Sequence, residues 1–200
     1  ITMIHFIKHA NKLVKSKNAK SRPALHAYHT DADGVSVATD SIRLYSAHTG
    51  SAEGTTPLLP TYVDGNYPNA RRLMTDAETL LDLSGNVWDY ELLGLIRWLS
   101  FAKSAKFKTV DISQEGTRLI VKVEDNNRDS VYTLELREDD IAVQGDYSTT
   151  FDIAYLLEAL QYLNEYKAPV QLSVTGNQLH AVVPSSPSKP LVVLMAIRKM

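Results

Sequence analysis

Cysteine is absent from the 200 residues of the chain. Without it the protein cannot form a disulfide, a thiolate zinc site, an iron–sulfur cluster or a cysteine nucleophile, and a cytoplasmic location is compatible with this composition. Long apolar runs are also missing, since stretches such as 191–196 are far shorter than the roughly 20 residues of a membrane-spanning helix. No basic and then apolar leader is visible. We therefore expect a soluble, cytoplasmic protein without a membrane partner.

Acidic residues are missing before Asp31. The cations that precede it are Lys8, Lys12, Lys15, Lys17, Lys20 and Arg22. The formal net charge of the whole chain is only -2, but its beginning, with six cations and no acidic residue, is a local region of positive charge. Apolar residues recur at helical spacing from Ile4 to about Lys15. This pattern predicts an amphipathic helix whose other face carries Lys8, Lys12 and Lys15.

Catalytic signatures are missing as well: the sequence has no P-loop, dinucleotide fingerprint, nucleophile elbow or HExxH motif. His5 and His9 lie one helical turn apart, but no neighbouring carboxylate or cysteine completes a metal motif. The run Asp31–Gly34 resembles the start of a calcium loop but lacks a glutamate at the twelfth position, so a hairpin turn explains it better. We predict a protein that is not an enzyme and has no metal or cofactor.

The chain is 44% hydrophobic and 22% charged, which is typical of one large or two small globular domains. Apolar spacing predicts two further helices, Val87–Lys103 and Phe151–Tyr166, the second capped by Thr150. The segment 47–60 is rich in Gly, Ser, Thr and Pro and is predicted to be a loop without a helix. The predicted strands are Ala24–Thr30, Val35–Tyr45, Thr61–Val63, Leu80–Leu83, Thr109–Ile112, Arg118–Glu124, Ser130–Arg137, Ile141–Val143, Val170–Val174, Gln178–Val183 and Pro190–Ile197.

The order strand, helix and three strands occurs twice after Leu80 and once, truncated, before it. No helix links parallel strands in the doubly wound manner, so the pattern predicts the α+β class. We expect repeated β-α-β-β-β units with antiparallel sheets and helices on one face.

Four stretches resemble, in the correct order, the β subunit of bacterial DNA polymerase III, the sliding clamp. Val37–Leu44 resembles the clamp's Ala-Thr-Asp-Gly-His-Arg-Leu run, and Tyr62–Leu73, the most specific of the four, resembles its Asp-Gly-Arg-Phe-Pro-Asp-Tyr-Arg-Arg-Val run. Phe151–Leu160 is similar to the last clamp helix and Val193–Arg198 to the C-terminal Val-Met-Pro-Met-Arg-Leu. The resemblance implies a DNA clamp fold.

The resemblance also implies a shortened clamp, of the kind expected from a phage or another mobile element. Residues 1–75 would form a truncated middle domain with one helical unit, and residues 76–200 a complete last domain with two. The loop 47–60 stands where the second helical unit of the middle domain would lie.

In the clamp family, helices line a central hole and present Lys and Arg to DNA phosphates, an attraction independent of sequence. The residues implied in this role are Lys8, Lys12, Lys15, Arg97 and Lys103, with support from Lys106 and Lys108. The alternative for the first three is an ordinary solvated helix face. The last predicted helix carries Asp152, Glu158 and Glu165, which would repel phosphate if they faced it.

Family members also bind partner proteins in a hydrophobic cleft between the last two domains. By motif, Thr39, Arg43 and Leu44 would form one wall, Thr75 would follow the domain linker, and Val193, Met195, Ile197 and Arg198 would form the other. The alternative is that Leu44, Val193 and Ile197 are strand core residues. Ser41 and Ile42 replace Gly-His, and Thr75 and Ala196 replace prolines.

Two functions follow from the resemblance. The first is a clamp-like replication protein, a homo-oligomer on duplex DNA, that tethers polymerase or other replication proteins carrying a clamp-binding motif. The second is an adaptor or decoy that kept the partner pocket without encircling DNA. Arg71 and Arg72 would contact DNA, a carboxylate at the domain junction, or only solvent.

Overall fold

The computed structural model describes residues 2–75, 83–125, 127–135, 147–175 and 177–197. The helices are α1 (Thr2–Val14), α2 (Lys17–Lys20), α3 (Arg72–Thr75), α4 (Asp89–Ser104) and α5 (Ile153–Asn164). The strands are β1 (Ala27–Thr30), β2 (Val35–Thr39), β3 (Arg43–His48), β4 (Gly54–Pro57), β5 (Leu83–Val87), β6 (Thr109–Glu115), β7 (Arg118–Asp125), β8 (Arg128–Glu135), β9 (Tyr147–Asp152), β10 (Val170–Thr175), β11 (Gln178–Val182) and β12 (Leu191–Met195). None of the helices in these ranges has the length and apolar character needed to cross a membrane.

The strands form two antiparallel sheets. The larger has eight strands in the order β4-β1-β2-β3-β12-β11-β10-β5, and the smaller has four in the order β8-β7-β6-β9. At the centre of the larger sheet β3 pairs with β12, so that Arg43 lies opposite Leu194 and Ser46 opposite Leu191. The beginning and the end of the chain therefore share one continuous sheet.

The predicted repeat is confirmed. The order β5-α4-β6-β7-β8 is followed by β9-α5-β10-β11-β12, and the first part of the chain contributes α1 and then β1, β2 and β3. The first strand of each complete unit pairs with the other unit, β5 with β10 and β9 with β6. This exchange ties the two units together through backbone hydrogen bonds, and the α+β class with antiparallel sheets is likewise confirmed.

Helix α5 lies between α1 and α4, and all three bury an apolar stripe in one core. The stripes follow helical spacing, with Phe6, Ala10 and Leu13 on α1, Leu92, Leu95 and Leu99 on α4, and Leu156, Leu160 and Leu163 on α5. Tyr45 of β3 stacks on Tyr162 of α5, with ring centroids 5.1 Å apart. The Tyr162 hydroxyl donates to the backbone carbonyl of Ser46 at 2.9 Å, which fixes α5 against the sheet.

The prediction of one strand over Val35–Tyr45 was wrong, because a tight turn divides this segment into β2 and β3. The Asp40 carboxylate accepts hydrogen bonds from the backbone N–H groups of Ile42, at 3.1 Å, and Arg43, at 2.8 Å. Ser41 takes a positive φ of 76° between them. The Asp40 side chain thus takes up backbone N–H groups that would otherwise pair with a neighbouring strand, and the strand ends there.

Two predictions for the following segment need correction. The stretch 47–60 contains no helix, as predicted, but Gly54–Pro57 forms β4 and pairs with β1. Thr61–Val63 is not a strand. Tyr62 instead donates its backbone N–H to the carbonyl of Leu59 at 3.1 Å, a turn that leads away from the sheet.

The N-cap of the last helix lies two residues later than predicted. Thr150 belongs to β9, and the Asp152 carboxylate caps α5 by accepting the N–H groups of Ala154, at 2.8 Å, and Tyr155, at 3.0 Å. The predicted strand Ile141–Val143 lies outside the described residues. The structure instead adds β9, which the sequence did not indicate because its polar residues show little apolar alternation.

Candidate nucleic-acid and partner interface

Helix α1 presents a basic row to solvent. Lys8, Lys12 and Lys15 are all exposed. Lys8 and Lys12 are four residues apart and lie on one side of the helix, and Lys15 continues the row in the turn directly after Val14. Lys12 and Lys15 form no ion pair with any other described residue. Ile4, which is 71% exposed, continues the same row toward the start of the helix. The predicted amphipathic helix is therefore present, with its cations accessible.

A single carboxylate on α5 links this row to the neighbouring helix. Lys8 forms an ion pair with Glu165. The same carboxylate lies 3.4 Å from His5 Nδ1 and 3.3 Å from His9 Nε2. Lys8 and the two histidines hold the pKa of Glu165 below its ordinary value. Despite this convergence, the described part of the chain has no cluster of three or more such groups suited to hold a metal ion.

His9 is buried beneath the row, with 1% of its surface exposed. Burial lowers the pKa of its imidazole from 6.5 to about 4, and the charges of Lys12 and Lys8 act in the same direction, while the Glu165 hydrogen bond opposes them. Its ring also contacts Tyr45 and Tyr162. His9 is thus neutral at physiological pH, and it adds no charge to the basic face.

Acidification should therefore destabilise the fold through His9. Between its folded and unfolded pKa values the unfolded chain binds more protons, so stability falls as the pH falls. From about pH 7 to about pH 5 we expect a loss of about 2 kcal/mol. Thermal melts at both pH values measure this, with His9→Gln as the comparison because it cannot be protonated. An equal loss in the variant would contradict this assignment.

The acidic residues of α5 do not form a repulsive face. Glu158 is bound to Arg43, Glu165 to Lys8, and Asp152 caps the helix. Each carboxylate is thus neutralised or engaged with backbone N–H groups. The expectation that they would repel phosphate loses its physical basis, because their charges are compensated inside the protein.

Helix α4 has a mixed surface. The predicted Arg97 and Lys103 are exposed, and so are Lys106 and Lys108 just after the helix. Arg97 shares its side with three large exposed side chains, Tyr90 at 64%, Leu93 at 36% and Phe101 at 65%. The cations on α4 are therefore spread among apolar groups, unlike the continuous row on α1.

The structure brings most of the predicted partner-pocket residues together. Thr39, Leu44, Val193 and Met195 surround a depression on the face of the eight-stranded sheet opposite the helices, which we call the outer face. Its open volume is only about 10 Å³, roughly the space of one water molecule. Leu73 of α3 forms the remaining wall.

Two of these residues are also part of a small core. Leu44 is 1% exposed and Val193 is 2% exposed, because Ala70, Leu73 and Met74 cover them. The chain's own segment before and within α3 therefore fills much of the predicted cleft. Leu44 and Val193 match the alternative that they are strand core residues.

The remaining predicted pocket residues are more open or are not described. Ile197 is 40% exposed, and its backbone N–H donates to the carbonyl of Thr150 at 2.8 Å. Thr75 is the last residue of α3, and Arg198 lies outside the described residues. Partly exposed Ile42, Met195 and Ile197 supply the accessible apolar surface of the turn and of the end of β12.

Arg43 also borders this depression, but its guanidinium lies on the helix side of the sheet. Its Nε and Nη2 donate to the Asp40 carboxylate at 3.1 and 2.8 Å, and Nη1 donates to Glu158. The guanidinium lies 4.2 Å from the ring centre of Tyr155. Arg43 is 2% exposed and Asp40 is fully buried. The residue thus fastens the β2–β3 turn to α5.

The segment before α3 is attached to the outer face at two points. The hydroxyl of Tyr67 donates to the carbonyl of Val37 and accepts the N–H of Thr39, both at 3.2 Å. Arg71 binds both Asp31, at 3.1 Å, and Asp33. The Arg71 guanidinium lowers the pKa of Asp33 to about 2. The sequence left three roles open for Arg71: contact with DNA, with a carboxylate, or only with solvent. The structure shows contact with carboxylates.

Removing this contact should loosen the segment. In Arg71→Ala we expect faster hydrogen exchange at the amides of Leu73 and Met74, whose bonds to Ala70 and Arg71 depend on its position. Arg97→Ala removes a comparable exposed guanidinium elsewhere and should leave these rates unchanged. Unchanged exchange in Arg71→Ala would show that apolar packing alone holds the segment.

Sequence reasoning missed the Arg43–Glu158 and Lys8–Glu165 contacts because their partners lie more than one hundred positions apart. One local signal was available. Glu158 and Glu165 are seven residues apart, which places them on the same side of a helix. That side faces cations from two other elements.

The sequence matches no protein-family model and no curated protein. Solved structures of bacterial clamps nevertheless resemble it. DNA polymerase III subunit β of Borrelia burgdorferi, in complex with a natural product, superposes with a TM-score of 0.75 at 15% identity, covering 100% of this chain and 62% of its own. The corresponding chain of Streptococcus pneumoniae TIGR4 gives 0.74 at 16% identity, covering 99% and 63%.

The Helicobacter pylori β clamp bound to a DNA ligase peptide gives a TM-score of 0.70 at 14% identity, covering 98% of this chain and 63% of its own. The chain therefore spans slightly less than two thirds of the length of these structures. At such low identity the agreement is one of fold, and it extends over nearly all of the chain. This chain has the DNA clamp fold of the bacterial polymerase III β subunits.

Proposed function

We propose that the chain is a clamp-like replication protein that binds duplex DNA without sequence specificity. The observation that carries the proposal is the row of exposed cations along α1 and directly after it, in which Lys12 and Lys15 form no ion pair with any described residue and Lys8 is bound to Glu165. Such a row attracts phosphates by releasing counterions and reads no base edges. It therefore supports binding to any duplex.

The exposed cations Arg97 and Lys103 extend this surface across α5 onto α4. They are interrupted by Tyr90, Leu93 and Phe101, so their contribution per residue should be smaller than that of the α1 row. Three helices packed side by side offer a broad face to a duplex. The proposed DNA surface is this face, with α1 as its strongest part.

The second part of the proposal is tethering of replication proteins. The H. pylori clamp has been solved with a DNA ligase peptide, and we propose that this chain binds a comparable peptide at the β2–β3 turn. The accessible apolar groups there are Ile42, Met195 and Ile197. Methionine suits such a site because its flexible side chain adapts to different partners.

The proposal includes a homo-oligomer, located in the cytoplasm, with residues 1–75 and 76–200 as its two domains. Strands β4 and β8 end their sheets, and their outer edges pair with no other described strand. Free edges of this kind can pair with another copy. Light scattering of the purified protein measures the number of copies directly.

A bridging assay tests both parts of the proposal together. Wild-type protein should recruit a fluorescent DNA ligase peptide to an immobilised duplex. The charge reversal Lys8→Glu, Lys12→Glu and Lys15→Glu should abolish DNA binding and leave peptide binding intact, and Met195→Asp should do the reverse. Peptide binding without any DNA binding by the wild type would instead support the adaptor function. Loss of both activities in both variants, or of neither, would refute the proposed division of surfaces.

A further inference from the structure

A groove opens on the outer face of the eight-stranded sheet, on the side of α3 away from the predicted partner pocket. Its volume is about 590 Å³, which falls within the range typical of small-molecule sites. Its lining includes Val35, Ser46, His48, Met74, Lys189 and Leu191. It lies on the opposite side of the sheet from the helices that carry the basic row.

The floor of the groove is formed by paired strands and carries both apolar and polar side chains. Antiparallel pairing sets Val35 opposite His48 and Leu191 opposite Ser46, so these side chains lie side by side on the outer face. Met74 of α3 closes one wall. Backbone hydrogen bonds of β2, β3 and β12 hold the floor, which means that a ligand would meet a preformed surface.

Ser46 is a polar residue of this floor, beside His48. It is 1% exposed, and its hydroxyl has no hydrogen-bond partner among the described residues. A buried hydroxyl without a partner is energetically costly, so native structures rarely keep one without a reason. A ligand group that enters the groove and reaches this hydroxyl would satisfy it.

Lys189 supplies a cation at the rim. It is exposed and forms no ion pair within the described residues, whereas Arg71 on the other rim is already bound to Asp31 and Asp33. Its backbone has a φ of 40°, in the left-handed region. The loop is held there because Lys189 donates its N–H to Ser186 at 2.9 Å, and His48 donates its own to Ser188 at 2.8 Å.

We propose that this groove binds an apolar carboxylate, with its apolar body on Val35, Leu191 and Met74 and its carboxylate at Lys189. A polar atom of the ligand completes the hydrogen bonding of Ser46. The carboxylate can belong to a small organic acid or to the C-terminal residue of a peptide. The inference goes beyond the proposed function, because neither DNA binding nor peptide binding at the β2–β3 turn requires this groove.

Amide chemical-shift titration of the full chain tests the proposal with four probes. Phenylbutanoate and acetyl-Leu-Phe represent the two sources of carboxylate, and their carboxamides are the neutral controls. We expect either acid, or both, to shift the amides of Ser46, His48 and Lys189, with affinity about fivefold or more above that of its amide. Shifts with only one acid identify the source.

Three variants complete the test. Lys189→Gln should lower the affinity for the acid to that of its amide. Ser46→Ala should weaken the binding of both the acid and the amide. Lys167→Gln is the matched control, because Lys167 is also an exposed lysine with positive φ, at 50°. It should bind as the wild type does. The proposal is overturned if no probe shifts the groove amides, if shifts centre on the β2–β3 turn, or if Lys189→Gln and Ser46→Ala bind as tightly as wild type.

Discussion

Replacing Arg43 with alanine is expected to destabilise the fold by about 3–5 kcal/mol, because it leaves the charge of Asp40 buried without its partner. Asp40 is fully buried, and Arg43 supplies two of its hydrogen bonds. The variant also loses the bond to Glu158 and the contact with Tyr155, which join the turn to α5. Since the free energy of unfolding of a domain is only about 5–15 kcal/mol, this substitution removes a large part of it. Urea unfolding of both proteins measures the difference.

Two controls separate this explanation from a general effect of mutating the turn. Arg22→Ala removes an exposed guanidinium that donates to Ser41 of the same turn at 2.5 Å, and it should cost less than about 0.5 kcal/mol. Arg43→Lys keeps the positive charge but lacks the planar guanidinium that donates two hydrogen bonds to Asp40. We therefore expect an intermediate loss of stability. A loss below about 1 kcal/mol in Arg43→Ala would mean that Asp40 does not depend on this ion pair.

The second large effect concerns DNA. Changing Lys12 and Lys15 to glutamate should lower duplex affinity roughly a hundredfold at low salt, since each reversal removes an attraction to phosphate and adds a repulsion. The salt dependence should also weaken, by about one unit of slope for each lysine that contacts a phosphate. Lys8→Glu should have an added effect, because it leaves the Glu165 carboxylate without its ion-pair partner. Fluorescence anisotropy with a short labelled duplex measures the affinities.

The matched control places the same charge change on the other side of the protein. Lys122 lies on the outward side of β7 and Lys189 on the rim of the outer-face groove. Reversing these two lysines alters the net charge as much as reversing Lys12 and Lys15. If DNA affinity falls equally in both double variants, the α1 row is not a specific DNA surface and only total charge matters.

Much of the fold could be predicted from periodicity. Helical spacing of apolar residues identified α1, α4 and α5 to within a few residues, and turn residues separated most strands of the second half. The β2–β3 turn was missed because Val35–Tyr45 reads as one β-rich run. Its interruption depends on the Asp40 carboxylate binding the backbone of Ile42 and Arg43, and no local apolar pattern reports such a contact.

The candidate interfaces were less predictable. Motif resemblance placed Thr39, Leu44 and Val193 together correctly, since β3 and β12 pair in the sheet. It could not show that Leu73 and Met74 cover them, because that depends on how the short helix α3 and the loop before it fold back onto the sheet. Nor could it show the direction of the Arg43 side chain, which is set by charges on a helix far along the chain.

We expect the helical face to bind duplex DNA through phosphates alone. The most direct measurement is the affinity of the wild-type protein for two unrelated duplexes of equal length at several salt concentrations. Equal affinities are predicted, with the logarithm of affinity falling linearly with the logarithm of salt at a slope of about −3 or steeper, as expected for three or more phosphate contacts. Absence of binding at low salt, or an affinity that salt does not change, would rule out this mode of DNA binding.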